Sequence, residues 1–458
     1  MAEAASEEAS SEAVTQFLER VLQDQFQAHP GIARANGDHS KDGLVGAAGA
    51  ESHHDREERL ERLQRSAPDP VRVRDRDLRL DLETASSLIQ SELFELQVRR
   101  RPFRDPTTLL QGDSPLEVGG YLLRDYAPLP ERLEGLCRQL EQAREWTEEA
   151  LTTLDGELAE PLIELALQGI DGQLTFLDQD VPTLGSEVDD QGLGRRLEQA
   201  LSQGRDALGR IRTELGHRRG DAPGLALGED GLVRMLLYQE GLQRTVSQLR
   251  QQAEEELLQL AGERERLLQE SFQGRSIAEV RTEVEEDRFS ERTLIPGADG
   301  LLSQLRRYVE ERAEVPIPDG PPCQVRPSPG FLSAWVSAAY EGVGPLETRP
   351  LPALYYVTTP QPGWSQEETQ EWLRYLNRAT LKNTSVHEVY PGHHVQFLYS
   401  LAIPSQIRRC FWSPGFGEGW AHYAELLMVE RGLAQGDPAL QLAQIEDALL
   451  RACRFRAT

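Results

Sequence analysis

Apolar residues, mostly leucine, recur at spacings of three and four along the first two thirds of the chain, with charged residues between them. That spacing puts the apolar side chains on one face of an α-helix. It predicts helices at residues 11–28 and 56–65, with a Gly- and Ala-rich connection at residues 31–52. It also predicts four long helices, at residues 80–99, 133–154, 193–217 and 232–270. The predicted fold class is therefore mainly α.

One segment has a β pattern instead. Residues 353–359 are rich in aromatic and β-branched side chains, and Pro360 ends the run. We expect a strand of a small β-sheet near the active site. Two positions are open for it: a sheet edge that receives an extended peptide, or a place in a sheet that covers the helices.

Prolines concentrate at residues 316–329, which marks a boundary within the chain. We expect a helical scaffold at residues 1–315 and a catalytic, metal-binding region at residues 316–458. The chain is long enough for both regions to form one continuous body around a sizeable core.

The chemistry is concentrated at residues 387–394, which read His-Glu-Val-Tyr-Pro-Gly-His-His. In the common His-Glu-x-x-His motif, two histidines on one helical face bind zinc, and the glutamate activates water. Here Pro391 and Gly392 displace the second histidine by two residues, and side chains six apart do not share a helix face. Proline lacks an N–H and glycine tolerates unusual backbone angles, so we predict that the helix breaks and restarts at Pro391. The break should bring His393 back toward His387.

Only one of His393 and His394 is expected to bind a metal ion held by His387, because neighbouring side chains lie about 100° apart around a helix. Removing Pro391 and Gly392 from the motif restores the ordinary spacing with His393, which is the predicted second ligand. His394 is the alternative ligand, or otherwise a group that contacts the ligands or the substrate.

Glu418 is the predicted third ligand, at the start of a helical segment that follows a turn at residues 413–417. His422 and Glu425 fall four and seven residues later on the same stripe, where they can orient the ligands through hydrogen bonds. The competing interpretation is that both complete an ordinary polar helix face. Two histidines and one glutamate leave the fourth position of a zinc ion to water, whose pKa falls to about 7. The predicted cofactor is Zn²⁺.

Glu388 is the predicted general base. It takes a proton from zinc-bound water as the water attacks a scissile carbonyl, and it returns that proton to the leaving amine. Tyr423 is the hydroxyl predicted to share the charge of the oxyanion with the metal. The other tyrosines considered are Tyr355, Tyr356 and Tyr390. For every one of these tyrosines, packing in the core is the competing interpretation.

The motif at residues 387–394 and the segment Glu-Gly-Trp-Ala-His-Tyr-Ala-Glu at residues 418–425 resemble the DUF885 family of predicted bacterial metallohydrolases. Gly-Asp-His-Ser at residues 37–40 and Arg-Pro-Leu-Pro-Ala-Leu-Tyr-Tyr at residues 349–356 extend the resemblance over most of the chain. That family in turn resembles the gluzincin peptidases, whose third zinc ligand is a glutamate on a downstream helix. The resemblance favours Glu418 over Glu425 as that ligand.

The resemblance implies a large helical, zincin-like fold, a zinc ion and hydrolysis of peptide bonds. Family members usually continue through further helices beyond the point where this chain stops, so the resemblance leaves a truncated C-terminus open.

The composition limits the classes of partner expected for this protein. The 458 residues carry a formal net charge of −27, which repels nucleic acid and anionic membranes from most of the surface. The expected partner is a peptide or small amide substrate. No stretch is apolar enough to span a membrane and the first residues show no secretory signal, so the expected location is the cytoplasm. The cysteines are widely separated, which indicates reduced thiols.

Two other classes of function stay open. One is a metal-dependent hydrolase of non-peptide amides or esters, which the same motif would serve. The other is a catalytically silent helical binding protein, since leucine-rich helices also occur in coiled coils. Glycine and proline interrupt the pattern and no long strict heptad persists, which favours the enzyme.

Overall fold

The computed structural model describes residues 11–220, 226–313, 315–333, 335–361 and 363–457. These residues are mainly helical, which confirms the predicted fold class, and they include two small β-sheets. The α-helices are α1 (Ser11–Ala28), α2 (Pro30–Ala35), α3 (Ala50–Arg65), α4 (Arg76–Phe94), α5 (Arg101–Arg104), α6 (Leu129–Leu140), α7 (Ala143–Thr153), α8 (Glu160–Thr175), α9 (Val181–Gly185), α10 (Gln191–His217), α11 (Gly228–Glu240), α12 (Val246–Ser271), α13 (Ile277–Glu286), α14 (Leu294–Tyr308), α15 (Gly330–Ser333), α16 (Gln366–Tyr375), α17 (Arg378–Glu388), α18 (His393–Leu401), α19 (Gln406–Cys410), α20 (Pro414–Glu430) and α21 (Pro438–Ala457). The strands are β1 (Leu158–Ala159), β2 (Arg219–Gly220), β3 (Cys323–Pro327), β4 (Ala338–Glu341) and β5 (Ala353–Val357).

Shorter helical turns connect several of these elements. The 3₁₀ helices are His39–Lys41, Pro70–Arg72, Pro106–Leu109 and Gly119–Tyr121. The π-helical turns are Glu95–Arg99, Phe176–Asp180 and Val309–Ala313.

The helices predicted at residues 11–28 and 193–217 are confirmed by α1 and α10. Two other predicted long helices are interrupted: α6 and α7 divide the first, and α11 and α12 divide the second. The second break has a local cause. Gly241 ends α11 in the left-handed conformation, with φ of 65°, and Thr245 caps α12 through its side chain.

The leucine faces of the helices pack within the chain. Helices α6, α7, α8 and α10 surround one core, and α1, α3 and α4 surround a second. Helix α12 packs along α21 through Leu260, Leu267 and Leu268. No helix among the described residues combines the length and the apolar character that crossing a membrane requires. All four cysteines are free thiols, as predicted.

Strand β5 is the predicted β segment, and it is the middle strand of the order β3-β5-β4. It pairs in parallel with β3 and antiparallel with β4, with Tyr340 opposite Tyr355. All five of its residues are buried. Of the two positions left open for this segment, the peptide-receiving edge is excluded, because both of its sides are already paired. The edge strand that faces the candidate site is β4.

The core around this sheet contains residues from both sides of the predicted boundary at residue 315. Leu294 and Leu305 of α14 pack there with Tyr355 of β5, Val386 of α17 and Met428 of α20. Burial on this scale contributes on the order of 2 kcal/mol per large apolar side chain. This core fixes the helices that carry the candidate site, and the division of the chain into two regions stays a prediction.

Candidate metal centre

The helix breaks where the Pro-Gly insertion predicts. Residues 389–392 separate α17 from α18, and the backbone N–H of Gly392 donates to the carbonyl of Val386 at 3.0 Å. A Cβ atom on Gly392 would lie 1.6 Å from the carbonyl oxygen of His387. Glycine is therefore required here by the close approach of two backbone segments.

The restart of the helix differs from the prediction. Helix α18 begins at His393, with Gly392 as its N-cap, so Pro391 is not its first residue. The peptide bond between Tyr390 and Pro391 is cis. The chain folds back in this tight segment before the second helix starts, and this brings the two histidine-bearing helices together.

Three predicted ligands lie together at the junction of α17, α18 and α20. One donor atom from each of His387, His393 and Glu418 lies within 4.8 Å of the other two. His387 Nε2 is 3.4 Å from Glu418 Oε2, and His393 Nε2 is 3.6 Å from Glu418 Oε1. The two imidazole rings are nearly perpendicular, at 89°. Among the residues that the structure describes, this is the one group of its kind.

The donor set fits a catalytic zinc ion. Ligand atoms about 2.1 Å from a tetrahedral metal lie about 3.4 Å from one another. Each imidazole Nε2 lies close to that distance from one oxygen of Glu418, His387 from Oε2 and His393 from Oε1. Two neutral imidazoles and one carboxylate leave a fourth position for water or substrate. Glu418 lies in the second turn of α20, which begins at Pro414, earlier than the sequence suggested.

The Nδ1 nitrogen of His387, opposite the one that faces Glu418, contacts a buried carboxylate. This atom lies 2.7 Å from Oε1 of Glu425, whose side chain is completely buried. Burial opposes protonation of His387, but the carboxylates of Glu418 and Glu425 outweigh it and raise the pKa of His387 to about 9. The contact with Glu425 leaves Nε2 directed toward the other donors, as ligand-orienting carboxylates do.

Glu425 is itself part of a buried network. Asn383 Nδ2 donates to its Oε2 at 3.0 Å, and the two Nη atoms of Arg451 lie 3.0 and 2.7 Å from its oxygens. Burial alone would raise the pKa of Glu425, but its bond to His387, the nearby ring of His422 and the charge of Arg451 lower it to about 2. The carboxylate therefore stays charged.

His422 makes longer contacts than Glu425, which lies on the same helix. Its Nδ1 atom is 3.9 Å from Oε2 of Glu425 and 3.4 Å from Nη1 of Arg451. Neither Asn383 nor Arg451 was among the residues predicted from the sequence. Asn383 carried a signal, because it precedes His387 by one helical turn on α17. Arg451 lies far along the chain on α21 and carried none.

His394 turns away from the group of three. It is 1% exposed, its Nδ1 atom is 3.1 Å from the hydroxyl of Tyr340, and the ring of Tyr390 packs against it edge-on. Burial lowers the pKa of His394 to about 4, which favours the neutral ring. The ring of His393 is instead directed to the same side as His387 and Glu418.

Glu388 follows His387 and contacts the edge strand. Its Oε2 atom accepts a hydrogen bond of 2.8 Å from the backbone N–H of Tyr340 on β4. Burial raises the pKa of Glu388 to about 7. Glu388 and Tyr340 line a cleft of about 1290 Å³, and the cleft is also lined by His387, His393 and Glu418.

The structure places Tyr423 on a different face of α20. It follows Glu418 by five residues, about 140° around a helix, and it is 49% exposed, with its ring against Trp420. The described residues that line the cleft do not include Tyr423. Tyr355 is buried, with its hydroxyl 3.2 Å from Ser385 Oγ. Tyr340, which was not among the predicted catalytic residues, lines the cleft instead.

Solved structures of other proteins are similar in fold to this chain. No curated protein matches the chain in sequence. One structurally similar protein, from Shewanella oneidensis, is described as "a putative lipoprotein of unknown function"; it is 18% identical, with a TM-score of 0.71 over 98% of this chain and 83% of that one. Another, "the putative lipoprotein from Colwellia psychrerythraea", is 14% identical, with a TM-score of 0.74 over 97% of this chain and 82% of that one. At these identities the similarity shows the fold alone.

The family assignment rests on sequence. Residues 29–455 match the model of a family described as "Bacterial protein of unknown function (DUF885)". The match extends over nearly the whole chain and includes both segments that carry the candidate metal centre. The chain therefore belongs to the DUF885 family.

Proposed function

We propose that the protein is a zinc-dependent hydrolase of zincin-like, gluzincin type that cleaves peptide or peptide-like amide bonds. The supporting observation is the group of His387, His393 and Glu418, whose donor atoms lie within 4.8 Å of one another. The group opens into the same cleft as the carboxylate of Glu388. A cleft of about 1290 Å³ is larger than most small-molecule pockets, which favours a substrate with several residues.

In this proposal His387, His393 and Glu418 hold the zinc ion, which when bound supplies Lewis acidity and lowers the pKa of water to about 7. Glu388 accepts the proton of the attacking water and returns it to the leaving amine. The N–H of Tyr340 positions Glu388 through the bond to its Oε2 atom. The other carboxylate oxygen stays available for the proton.

The peptide is proposed to lie along β4. This strand is at the edge of its sheet, and Ala338, Ala339 and Tyr340 line the cleft. An edge strand offers unpaired backbone groups to which an extended peptide adds as a further strand. The N–H of Tyr340 is already bonded to Glu388, which leaves the other outward-facing backbone groups of β4 for the peptide. Strand β4 thus takes the peptide-binding role that the sequence left open for β5.

A tyrosine hydroxyl is proposed to share the oxyanion charge. Tyr423 is the candidate from the sequence, and Tyr340 is the candidate that the cleft favours. The ring centroid of Tyr340 is 6.5 Å from that of His393, and burial raises the pKa of its hydroxyl, which keeps it protonated. In this proposal the hydroxyl turns from His394 Nδ1, which is 3.1 Å away, to the oxyanion.

The proposal also places the enzyme in the cytoplasm, with a peptide or small amide as its partner and with neither nucleic acid nor membrane. The word lipoprotein describes the two structurally similar proteins and is not transferred to this chain.

Metal analysis with one matched pair of variants tests the mechanism. The purified protein is expected to hold one zinc ion per chain. A Glu388→Gln variant should retain that zinc and lose about 10²- to 10⁴-fold in hydrolysis of a mixed peptide pool, because the base is removed and the ligands are kept. The control is Glu371→Gln, an exposed glutamate on α16.

The outcomes separate the alternatives. A protein without stoichiometric zinc, or a Glu388→Gln variant as active as the wild type, contradicts the mechanism and favours a silent binding protein. Zinc with Glu388-dependent hydrolysis of esters or non-peptide amides, but not of peptides, favours the other hydrolase class.

A further inference from the structure

Arg409 stands out among the groups that line the cleft. Its Nε atom is buried and has no hydrogen-bond partner among the described residues. Its neighbour Arg408 contrasts with it, because Arg408 forms ion pairs with Asp77 and Asp81 of α4. The chain holds 76 acidic residues against 49 basic ones. Arg409 thus has no ion pair among the described residues although carboxylates are in excess in this protein.

The element that carries Arg409 is fixed from several directions. Helix α19 buries Ile407 in the core of α1, α3 and α4, and it buries Cys410 against Phe26 and Ala33. The ion pairs of Arg408 tie the same helix to α4. Anchors on both sides of Arg409 hold its backbone in place, so the side chain is presented to the cleft from a rigid support.

The other charged groups of the cleft are already committed or hydrated. Glu388 and Glu418 belong to the candidate metal centre. Glu240 accepts from Ser413 Oγ and from the backbone N–H of Gly415, at the start of α20. Glu83 is exposed to water. Among the described cleft residues, Arg409 is therefore the cation that lacks a partner.

The guanidinium group of Arg409 lines the cleft and has no ion pair among the described residues, and a charge in such a position is stabilised when a ligand supplies the opposite charge. The guanidinium group offers its donors in a planar fork that matches a carboxylate in two hydrogen bonds. We propose that Arg409 binds a carboxylate of the substrate, either the C-terminal carboxylate of a peptide or the side chain of an aspartate or glutamate. This inference rests on the proposed peptidase function and adds a substrate class to it.

The test uses four pools of randomised N-acetylated hexapeptides. The pools carry either a free C-terminal carboxylate or a carboxamide, each with or without Asp and Glu. The wild-type protein should cleave the pools that contain the preferred carboxylate with at least a tenfold higher kcat/KM than the pool that contains none. The difference between the C-terminal and the side-chain pools identifies the source of the carboxylate.

The Arg409→Gln variant should raise KM at least tenfold on the preferred pool and leave KM on the carboxylate-free pool within twofold, with little change in kcat. Arg409→Lys should restore part of the preference. The control is Arg266→Gln, an exposed arginine of α12. Zinc content and thermal midpoint of each variant verify that it is folded. A wild type that shows no carboxylate preference, or an Arg409→Gln variant that affects all pools equally, overturns the proposal.

Binding gives a readout that does not depend on turnover. Zinc-loaded Glu388→Gln protein should retain carboxylate-bearing peptides in ultrafiltration, and adding Arg409→Gln should abolish the retention. Retention that depends on Arg409 in a protein that hydrolyses no peptide overturns the peptidase function and leaves the carboxylate site standing. Peptide hydrolysis that does not depend on Arg409 overturns the carboxylate site and leaves the peptidase function standing. Absence of both hydrolysis and Arg409-dependent retention overturns both proposals.

Discussion

His387 Nδ1 lies 2.7 Å from Glu425 Oε1, while the opposite nitrogen of the same ring lies 3.4 Å from Glu418 Oε2. The imidazole is thus fixed between a buried carboxylate and a cleft-lining one. A ring held at Nδ1 presents Nε2 in one orientation, which reduces the rearrangement needed when a metal binds.

The Glu425→Gln substitution is expected to weaken zinc binding about 10- to 100-fold, because outer carboxylates of this kind orient the ligand and increase its basicity. The amide keeps the volume of the side chain and removes its charge. Competition with a calibrated chelator measures the affinity. Glu430→Gln, an exposed position on the same helix, is the control. Equal affinity of the Glu425→Gln variant and the wild type would show that the contact is not coupled to the metal.

Substitution of the two adjacent histidines should have different effects. The His393→Ala variant should lose stoichiometric zinc, because it removes a donor of the group of three. The His394→Ala variant should keep zinc and lose about 1–3 kcal/mol of stability, because it leaves the hydroxyl of Tyr340 without a partner. Metal analysis and urea unfolding of both variants distinguish the two effects. Zinc lost from the His394 variant and kept by the His393 variant would reverse the assignment of the ligand.

Gly392→Ala is predicted to be more disruptive than its size suggests. The added Cβ would lie 1.6 Å from the carbonyl oxygen of His387, so two helix ends must separate, at a cost of more than about 3 kcal/mol. Zinc should be lost with the stability, since both histidine helices move. Gly419→Ala on α20 is the matched control, because a Cβ there meets nothing within 4 Å. That control should be neutral or more stable by up to about 1 kcal/mol. Similar urea midpoints for the two variants would contradict the prediction.

The two candidate tyrosines can be compared by removing one hydroxyl at a time. Tyr340→Phe is expected to lower kcat about 10²- to 10³-fold if its hydroxyl stabilises the oxyanion. Tyr423→Phe should stay within twofold of the wild type, since this residue is half exposed and packs on Trp420. Steady-state kinetics on one cleaved peptide measure both variants. A large loss of kcat in the Tyr423 variant alone would restore the assignment made from the sequence.

Much of the candidate site could be predicted from local sequence because its signals are local. Pro391 and Gly392 predicted the helix break, and helical spacing put Glu425 on the stripe of Glu418. The restart at His393 was not predicted, because the position of the first helical residue depends on how the chain packs against α17.

Other features depend on contacts between distant segments. Whether β5 lies at the edge or in the middle of its sheet is decided by β3 and β4, which its own aromatic pattern does not reveal. Arg451 reaches Glu425 from α21, and Tyr340 reaches Glu388 from β4. Nothing in the sequence around Arg451 distinguishes it from other arginines, and nothing around Tyr340 indicates its bond to Glu388, so both contacts could be found only in the fold.

A separate ion cluster predicts how stability depends on pH. His29 Nε2 lies 2.9 Å from Glu92 Oε1, and His29 Nδ1 lies 2.6 Å from Asp113 Oδ2. Burial by itself lowers the pKa of His29, but bonds to the two carboxylates outweigh it and raise the pKa to about 10. Because the folded pKa is above the unfolded value of about 6.5, the stabilisation is fully present below pH 6.5 and is lost as the pH rises toward 10.

The His29→Gln variant should therefore be less stable than the wild type by about 3 kcal/mol at pH 6, since it removes one partner of a partly buried ion cluster. The difference should shrink steadily between pH 6.5 and pH 10, because the wild-type imidazole itself loses its proton over that range. Urea unfolding at several pH values measures the difference, and His54→Gln, an exposed histidine of α3, is the control. A difference that stays constant from pH 6 to pH 10 would mean that His29 contributes through packing and neutral hydrogen bonds, without its charge.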